Sequence, residues 1–427
     1  MSISMIVSLV IFIIAYVLIA LETYHKSVIS MVGAVIFITL GYVSQNKAFS
    51  EYVDWNVIFL LIGMMIMMGI VKETGMFQYV AIKLAKLAKG SPIKILLLLF
   101  FATGIISAFL DNVTTIIIMT PISILISVEL GISPLPFVIS QILASNIGGT
   151  ATLIGDPPNL MIGSAAGLTF IDFLVNLTPV IIINMIVTAI ILWFLFKKEL
   201  VVSNQRRAKI LEFDEKQAIT SKKDLIIGLF VITLFITLFF LHHYTHLEPA
   251  TIALLCASVL LLRSRKLKID KFFATEIEWG TILFFIALFI MVGALEEQGA
   301  IEYLSSHIIK MTSGSPRLAS IGIVWTSGIA SAIIDNIPFV ATMIPLIEDI
   351  GLAIGTVAIK PLWWALSLGV CLGGNGTMIA ASANLIAIGI CNKSGYKISF
   401  MTFTKYGAFI TFINLIIATV YLLFVYH

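Results

Sequence analysis

The chain has 427 residues, of which 59% are hydrophobic and only 11% are charged, and its formal net charge is +3. Soluble domains carry about 25% charged residues, so this composition excludes an ordinary soluble enzyme and a disordered chain. The net charge is small and Lys and Arg do not form one basic face, so nucleic-acid binding is not suggested. It is typical of a polytopic membrane protein, and the three cysteines have no spacing that predicts a disulfide framework or a zinc site.

The first half of the chain has a run of apolar segments long enough to place several helices in a bilayer. In chain order, we predict three full spans, a short mixed stretch, two apolar limbs, an interrupted Gly-rich span and a final span: 3–21, 28–45, 55–72, 74–90, 93–110, 113–126, 136–165 and 174–196. The second limb is too short to cross a membrane, which predicts a re-entrant hairpin with Asp111-Asn112 at its tip.

The interval 197–223 contains eight Lys and Arg residues and predicts a cytoplasmic linker. After it, the same plan returns in the same order: 224–243, 249–263, 279–295, 298–314, 317–334, 337–347, 361–391 and 402–425. The second hairpin therefore has Asp335-Asn336 at its tip. We divide the chain into a first transmembrane repeat (1–196), the linker (197–223) and a second transmembrane repeat (224–427).

The two halves also share rare residues at a constant offset of 224 positions. The matches include Trp55 with Trp279, Gly69 with Gly293, Asp111-Asn112 with Asp335-Asn336, and Pro121 with Pro345. Each half has an odd number of predicted crossings, so the second repeat has inverted topology, as in secondary transporters. We predict an integral protein of the cell membrane with both termini on the outer side. In this orientation 22 Lys and Arg residues lie on the cytoplasmic side and 4 on the outer side, which favours it.

Acidic residues are rare in the apolar motifs, where only Asp111, Asp156 and Asp335 occur, and no Lys or Arg lies in the same motifs. An unpaired carboxylate at membrane depth is costly unless it is protonated, hydrated or bound to a cation. One interpretation is a coupling-ion site for Na+ or H+ formed by Asp111, Asn112, Asp335, Asn336 and Asp156. The alternative is that Asp111 and Asp335 cap the second limbs of the hairpins, and the two roles are compatible.

The interrupted spans are predicted to form the other wall of the site. The first contains Pro157-Pro158 after several glycines, which ends a regular helix and frees backbone carbonyls to line a polar cavity. A kink for close helix packing is the alternative. Together with the hydroxyls of the first tip, these spans supply the candidate substrate-binding residues: Thr114, Thr115, Gly148, Gly149, Thr152, Asn159, Gly374, Thr377 and Asn384.

These motifs resemble the ion transporter superfamily, in particular its arsenite permease and sodium–proton antiporter branch, which includes the melanosomal P protein. The resemblance is carried by 107–121, by 145–163 with its Gly-Asp-Pro-Pro-Asn segment, and by the equivalent stretches of the second half. It implies a homodimer and a scaffold across which hairpins and broken helices move the site. Related dicarboxylate carriers have Ser-Asn-Thr tips, whereas this chain has an aspartate at the Ser position of both tips.

We therefore expect an ion-coupled secondary transporter that exports a small inorganic anion or metalloid such as arsenite, coupled to H+ or Na+. The alternatives are a Na+/H+ antiporter and a sodium-coupled dicarboxylate or citrate carrier. A channel is less compatible with hairpin symmetry. The motifs predict no enzyme and no cofactor beyond the coupling ion, and the sequence leaves open an ATPase partner acting in trans.

Overall fold

A computed structural model describes residues 2–21, 24–245, 247–264, 267–311 and 315–426. Within these residues the chain is helical and forms no strand. Seven of the described helices are long and apolar enough to cross a membrane, and several shorter apolar helices accompany them. The predicted fold class, an all-α polytopic membrane protein, is confirmed.

The helices of the first half follow the predicted order. They are α1 (Ile3–Ala20), α2 (Lys26–Thr39), α3 (Gln45–Lys47), a π-helical turn (Ala48–Tyr52), α4 (Trp55–Lys72), α5 (Met76–Leu87), α6 (Pro92–Phe109), α7 (Asn112–Leu130), α8 (Leu135–Gly149), α9 (Pro157–Ala166) and α10 (Phe170–Phe196). The predicted span 28–45 is shorter as a helix, because the chain leaves α2 after Thr39 and turns at Gly41, whose φ is +73°.

The linker forms α11 (Asn204–Glu212) and a 3₁₀ turn (Glu215–Ala218). The second half then contains α12 (Lys222–Thr245), α13 (Pro249–Arg263), α14 (Ile269–Glu276), α15 (Trp279–Glu297), α16 (Ala300–Met311), α17 (Pro316–Ile333), α18 (Asn336–Ile354), α19 (Thr356–Gly373), α20 (Ser382–Lys393) and α21 (Phe400–Tyr426).

Equivalent helices of the two halves run in opposite directions where they meet. Helices α4 and α15 occupy the same place in the two predicted repeats. Tyr52, just before α4, lies against Gly293 near the end of α15. In the middle of α4, the Met65 sulfur accepts a hydrogen bond from the Glu278 backbone at the start of α15. An inverted repeat requires this antiparallel relation.

The hairpin limbs are longer than the sequence predicted. The prediction ended the second limbs at 126 and 347, but α7 continues to Leu130 and α18 to Ile354. Each has 19 residues, or about 28 Å of helix, so limb length alone does not exclude a crossing. The prediction stopped short of the polar residues near the limb ends. In the structure, α7 includes Glu129 and α18 includes Glu348.

Contacts at α8 nevertheless show that α6 and α7 form a hairpin. Helix α8 runs parallel to α6, since Gly148 packs on Gly104 and, one turn farther along both segments, Thr152 donates to the Ala108 carbonyl. It runs antiparallel to α7, since Ser145 donates to the Asn112 carbonyl near the start of α7 and Gln141 donates to Ser123 farther along. The two limbs therefore run in opposite directions on either side of the Asp111 tip.

The linker is folded against the first half. Arg206 on α11 donates to the Leu130 and Gly131 carbonyls at the end of α7, at 3.1 and 2.7 Å. Lys86 on α5 donates to Glu215 at 2.7 Å, and this hydrogen bond lowers the pKa of the Glu215 carboxyl. The charged interval that the sequence predicts as a linker thus fastens α5 and the base of the first hairpin together.

Candidate functional site

The tip of the first hairpin is a capped helix start. Asp111 is extended, with φ −60° and ψ 151°, and its Oδ1 accepts a hydrogen bond from the Thr114 backbone at 2.8 Å. The Thr115 hydroxyl donates to the Asp111 carbonyl at 3.0 Å. The capping interpretation is therefore confirmed for Asp111, and its second carboxylate oxygen remains available for another partner.

Asp335 caps the second hairpin in the same way, because its Oδ1 accepts a hydrogen bond from the Ile337 backbone at 3.2 Å. Its other oxygen is occupied: the Lys26 ammonium donates to Oδ2 at 2.6 Å. The sequence motifs themselves contain no Lys or Arg, but α2 brings one to this tip. The expectation that Asp335 lacks a basic partner is therefore wrong.

Both interrupted spans break as predicted, and each break is held by one asparagine. In the first half, residues 150–156 are not helical, and Asn159 donates to the Thr150 and Thr152 carbonyls at 3.2 and 2.8 Å. In the second half, Asn384 donates to the Gly374 and Thr377 carbonyls at 2.7 and 2.9 Å. These amides satisfy carbonyls that the missing helical turns leave free.

Two threonines fasten the breaks to the hairpins. Thr152 donates to the Ala108 carbonyl at the end of α6, and its equivalent Thr377 donates to the Ala332 carbonyl in the last turn of α17 at 2.6 Å. The hydroxyls of Thr152 and Thr377 and the amides of Asn159 and Asn384 are thus engaged within the protein. Contact of these four predicted residues with a substrate stays a prediction.

The predicted glycines lie where backbones approach closely. A side chain at Gly148 would overlap the Gly104 carbonyl, and one at Gly149 would lie 2.6 Å from the Gly155 carbonyl oxygen. Gly374 supplies the carbonyl that Asn384 clamps. The packing interpretation of these residues therefore holds beside the prediction that they line a substrate site.

Asn146 joins the two halves at the centre of the molecule, a role that the sequence did not reveal. Its amide donates to Asn375 and Asn384 side-chain oxygens at 2.9 and 3.0 Å. Its own oxygen accepts from Asn112 at 3.4 Å, so it connects the first tip to the second break. The only sequence signal was an amide within an apolar run, and such a residue does not specify its partner.

Asp156 is the most deeply buried of the three motif aspartates, with 1% of its surface exposed. Its Oδ1 accepts a hydrogen bond from Asn112 at 3.1 Å. Within the described residues, its Oδ2 has no hydrogen-bond partner, although this atom is buried. Buried polar atoms are normally paired, so an orphaned carboxylate oxygen marks a place for a proton, a cation or water.

A cavity of about 30 Å³ lies between the two tips. It has room for a water molecule or an unhydrated cation. Its polar walls come from both hairpins, the first break and the starts of α15 and α20, and no Lys or Arg occurs among its described lining residues. The acidic and amide residues that line it are Asp111, Asp156, Glu278, Asn112 and Asn336.

Glu278 is the third carboxylate of this cavity and was not predicted. It directly precedes α15, and its side chain accepts a hydrogen bond from Thr281 at 3.0 Å. In the sequence it stands at the edge of a predicted span, where a charged residue is ordinary. Only the packing of α15 against α4 and against α18 of the second hairpin brings it to the tips.

Comparisons with known proteins show the family to which this chain belongs. A profile described as CitMHS, citrate transporter, matches residues 16–369. The chain belongs to this citrate transporter family. It is 40% identical to an uncharacterized transporter of Mycobacterium tuberculosis over 98% of this chain and 97% of that one. It is 32% identical to the P protein of Mus musculus over 96% of this chain and 59% of the relative, so the predicted resemblance to P protein is confirmed.

The fold has a counterpart among solved structures. The YdaH transporter of Alcanivorax borkumensis, described as having an unusual topology, superposes with a TM-score of 0.57. The likeness covers 98% of this chain and 97% of that chain at 13% sequence identity, and it therefore concerns the fold alone. Membership of the citrate transporter family establishes that the chain is a membrane transporter.

Proposed function

We propose that this member of the citrate transporter family is a secondary transporter that binds Na+ or H+ in the cavity between the hairpin tips and exchanges the two ions across the membrane. The observation that carries the proposal is the convergence of Asp111, Asp156 and Glu278 on a cavity of about 30 Å³. Oxygen ligands of this kind suit hard cations. No Lys or Arg lines the cavity in the described chain, and the Lys26 ammonium lies behind its wall, 2.7 Å from the hydroxyl of the lining residue Ser382.

Exchange follows from competition for the same oxygens. Neighbouring carboxylates in a poorly hydrated site disfavour each other's charged forms, so at least one of them gains from a proton or a metal cation. A proton and a Na+ ion cannot occupy the free Asp156 oxygen together. If each side of the membrane loads whichever ion is more abundant, alternating access through one such site exchanges Na+ for H+.

The movement of the site is proposed from the family resemblance, which implies that hairpins and broken helices carry the site across a scaffold. The tips and breaks are fastened to each other by Thr152, Thr377 and Asn146. Fastened in this way, hairpins and broken helices are suited to move as a unit. Helices such as α2, α4, α13 and α15 would then form the scaffold.

Arsenite export in exchange for protons is the second candidate. Arsenous acid is neutral at neutral pH, so the carboxylates of the cavity would not repel it, and the same Asp156 could carry the proton. Citrate or another carboxylate would face three acidic side chains in this cavity, and the geometry gives it less support. Arsenite, succinate and citrate should therefore be tested beside Na+ and Li+ in the same assay.

The test is radioactive sodium uptake into proteoliposomes driven by an outward proton gradient. We expect Asp156→Asn and Asp111→Asn each to reduce uptake about tenfold or more, since removal of a charged ligand costs at least the 1.4 kcal/mol that corresponds to a factor of ten. Asp224→Asn serves as a control because Asp224 is exposed at the start of α12. Wild-type uptake by both the Asp156→Asn and the Asp111→Asn variant would refute the proposal.

A further inference from the structure

Lys26 places a fixed positive charge at the second hairpin tip. Its ammonium lies 2.6 Å from Asp335 Oδ2, 2.7 Å from the Ser382 hydroxyl and 4.9 Å from the centre of the Phe284 ring. The lysine comes from the first residue of α2, whereas the aspartate caps α18. Both side chains are largely buried, with 20% and 12% of their surfaces exposed.

The first tip has no equivalent charge. By the repeat offset, the position equivalent to Lys26 is Ala250, which is buried and apolar. Among the described residues, neither Asp111 nor Asp156 takes part in an ion pair. The two tips share an aspartate cap, but only the second tip already holds a cation.

The surroundings of Lys26 resemble a small cation site filled by a side chain. A carboxylate oxygen and a hydroxyl oxygen accept hydrogen bonds from its ammonium, and an aromatic face lies beside it. A cavity of about 460 Å³ opens at the pair. Besides apolar walls, it is lined by Tyr24, His25, Lys26, Asp335 and Ser382, so Asp335 would be accessible to an ion if the ammonium were absent.

We infer that Lys26 is a tethered cation that occupies the second tip in place of a mobile ion. This inference rests on the proposed function. It assigns one coupling-ion site per chain, at Asp111 and Asp156, although the repeat provides two aspartate tips. Removing the ammonium leaves Asp335 and Ser382 without their cation and opens a second ion site at the second tip. A purely structural salt bridge would change stability but leave the number of bound ions unaltered.

The experiment is equilibrium binding of radioactive sodium to the purified full-length protein at alkaline pH. We expect about one ion per chain for the wild type and about two for Lys26→Met, because ligand occupancy follows the number of open sites. Lys26→Gln removes the charge but keeps a donor for Asp335, and it gives the same result if the methionine variant folds poorly.

Two controls isolate the charge. Lys26→Arg keeps a cation at the tip and should bind about one ion, as should Lys26→Met combined with Asp335→Asn, which removes the vacated site. If the wild type already binds two ions, or if the methionine and glutamine variants bind only one, the inference is wrong. A wild type that binds neither sodium nor lithium instead refutes the proposed function itself.

Discussion

Asn159 and Asn384 follow the two helix breaks, and each donates both amide hydrogens to carbonyls of its own break. Both side chains are fully buried. The same arrangement therefore occurs in both halves: an asparagine amide replaces helical hydrogen bonds that are missing at the break. These four carbonyls are thus paired although the backbone around them is not helical, as membrane depth requires.

We expect Asn384→Ala to destabilise the protein by about 1–3 kcal/mol, because the Thr377 carbonyl loses the Asn384 donor and the Gly374 carbonyl keeps only its long contact with Asn146. The measurement is thermal unfolding in detergent. Asn204→Ala, at an exposed position of α11, serves as the matched control and should unfold like the wild type. Equal unfolding temperatures for the two variants would show that the clamp at the second break contributes no stability.

The motif residues were predictable at this scale because polar residues stand out in apolar segments. Asp111, Asp156, Asn112 and Asn336 line the cavity that the sequence predicts between the tips. Glu278 and Lys26 were missed for a physical reason. Each lies at the end of a span, where charges are ordinary, and its partners come from distant parts of the chain.

Hairpins and broken helices meet through glycine contacts. Gly148 on α8 packs directly on the Gly104 carbonyl of α6. In the second half, a side chain at Gly373 would lie 2.6 Å from the Gly328 carbonyl oxygen of α17. Small residues at such crossings let helix backbones approach closely in membranes. The close approach also brings Thr152 and Thr377 within reach of carbonyls on α6 and α17.

Gly148→Ala should therefore separate α6 from α8 and abolish transport, because the added methyl group meets backbone atoms that cannot move aside. The measurement is uptake by proteoliposomes, with yield after size-exclusion chromatography as the folding readout. Gly389→Ala is the control, since α20 has open space at Gly389. A fully active Gly148→Ala transporter would contradict the packing at this crossing.

Element order was predictable from hydropathy, but element ends were not. The two second limbs extend beyond the apolar run because helical hydrogen bonds and contacts with neighbouring helices continue past Glu129 and Glu348. Conversely, α2 ends at Thr39 although apolar residues continue after it. Hydropathy reports which residues tolerate lipid, whereas turns such as the one at Gly41 decide where a helix stops.

The whole molecule consists of two halves with the same helix order, connected by a folded linker. The antiparallel contact between α4 and α15 agrees with inverted topology. The offset of rare residues made this organisation visible in the sequence. Placement relative to the membrane depends on the distribution of Lys and Arg, and the orientation with both termini outside stays a prediction.

Cysteine labelling tests the orientation. The native Cys256, Cys371 and Cys391 are buried, so a membrane-impermeant maleimide should not label them in intact cells. Asn46→Cys, at an exposed position of the short helix α3 that the orientation places outside, should be labelled, whereas Asn204→Cys in the linker should react only after the cells are permeabilised. The reverse pattern would invert the predicted topology.

The central claim is that the cavity between the hairpin tips binds the coupling cation. Its most direct test is dissipation of a pH gradient by the purified protein in liposomes, with Na+, Li+, arsenite, succinate and citrate added one at a time. We predict that Na+ or Li+ alone dissipates the gradient and that Asp156→Asn abolishes the response. Dissipation by arsenite, succinate or citrate but by neither cation would contradict the account.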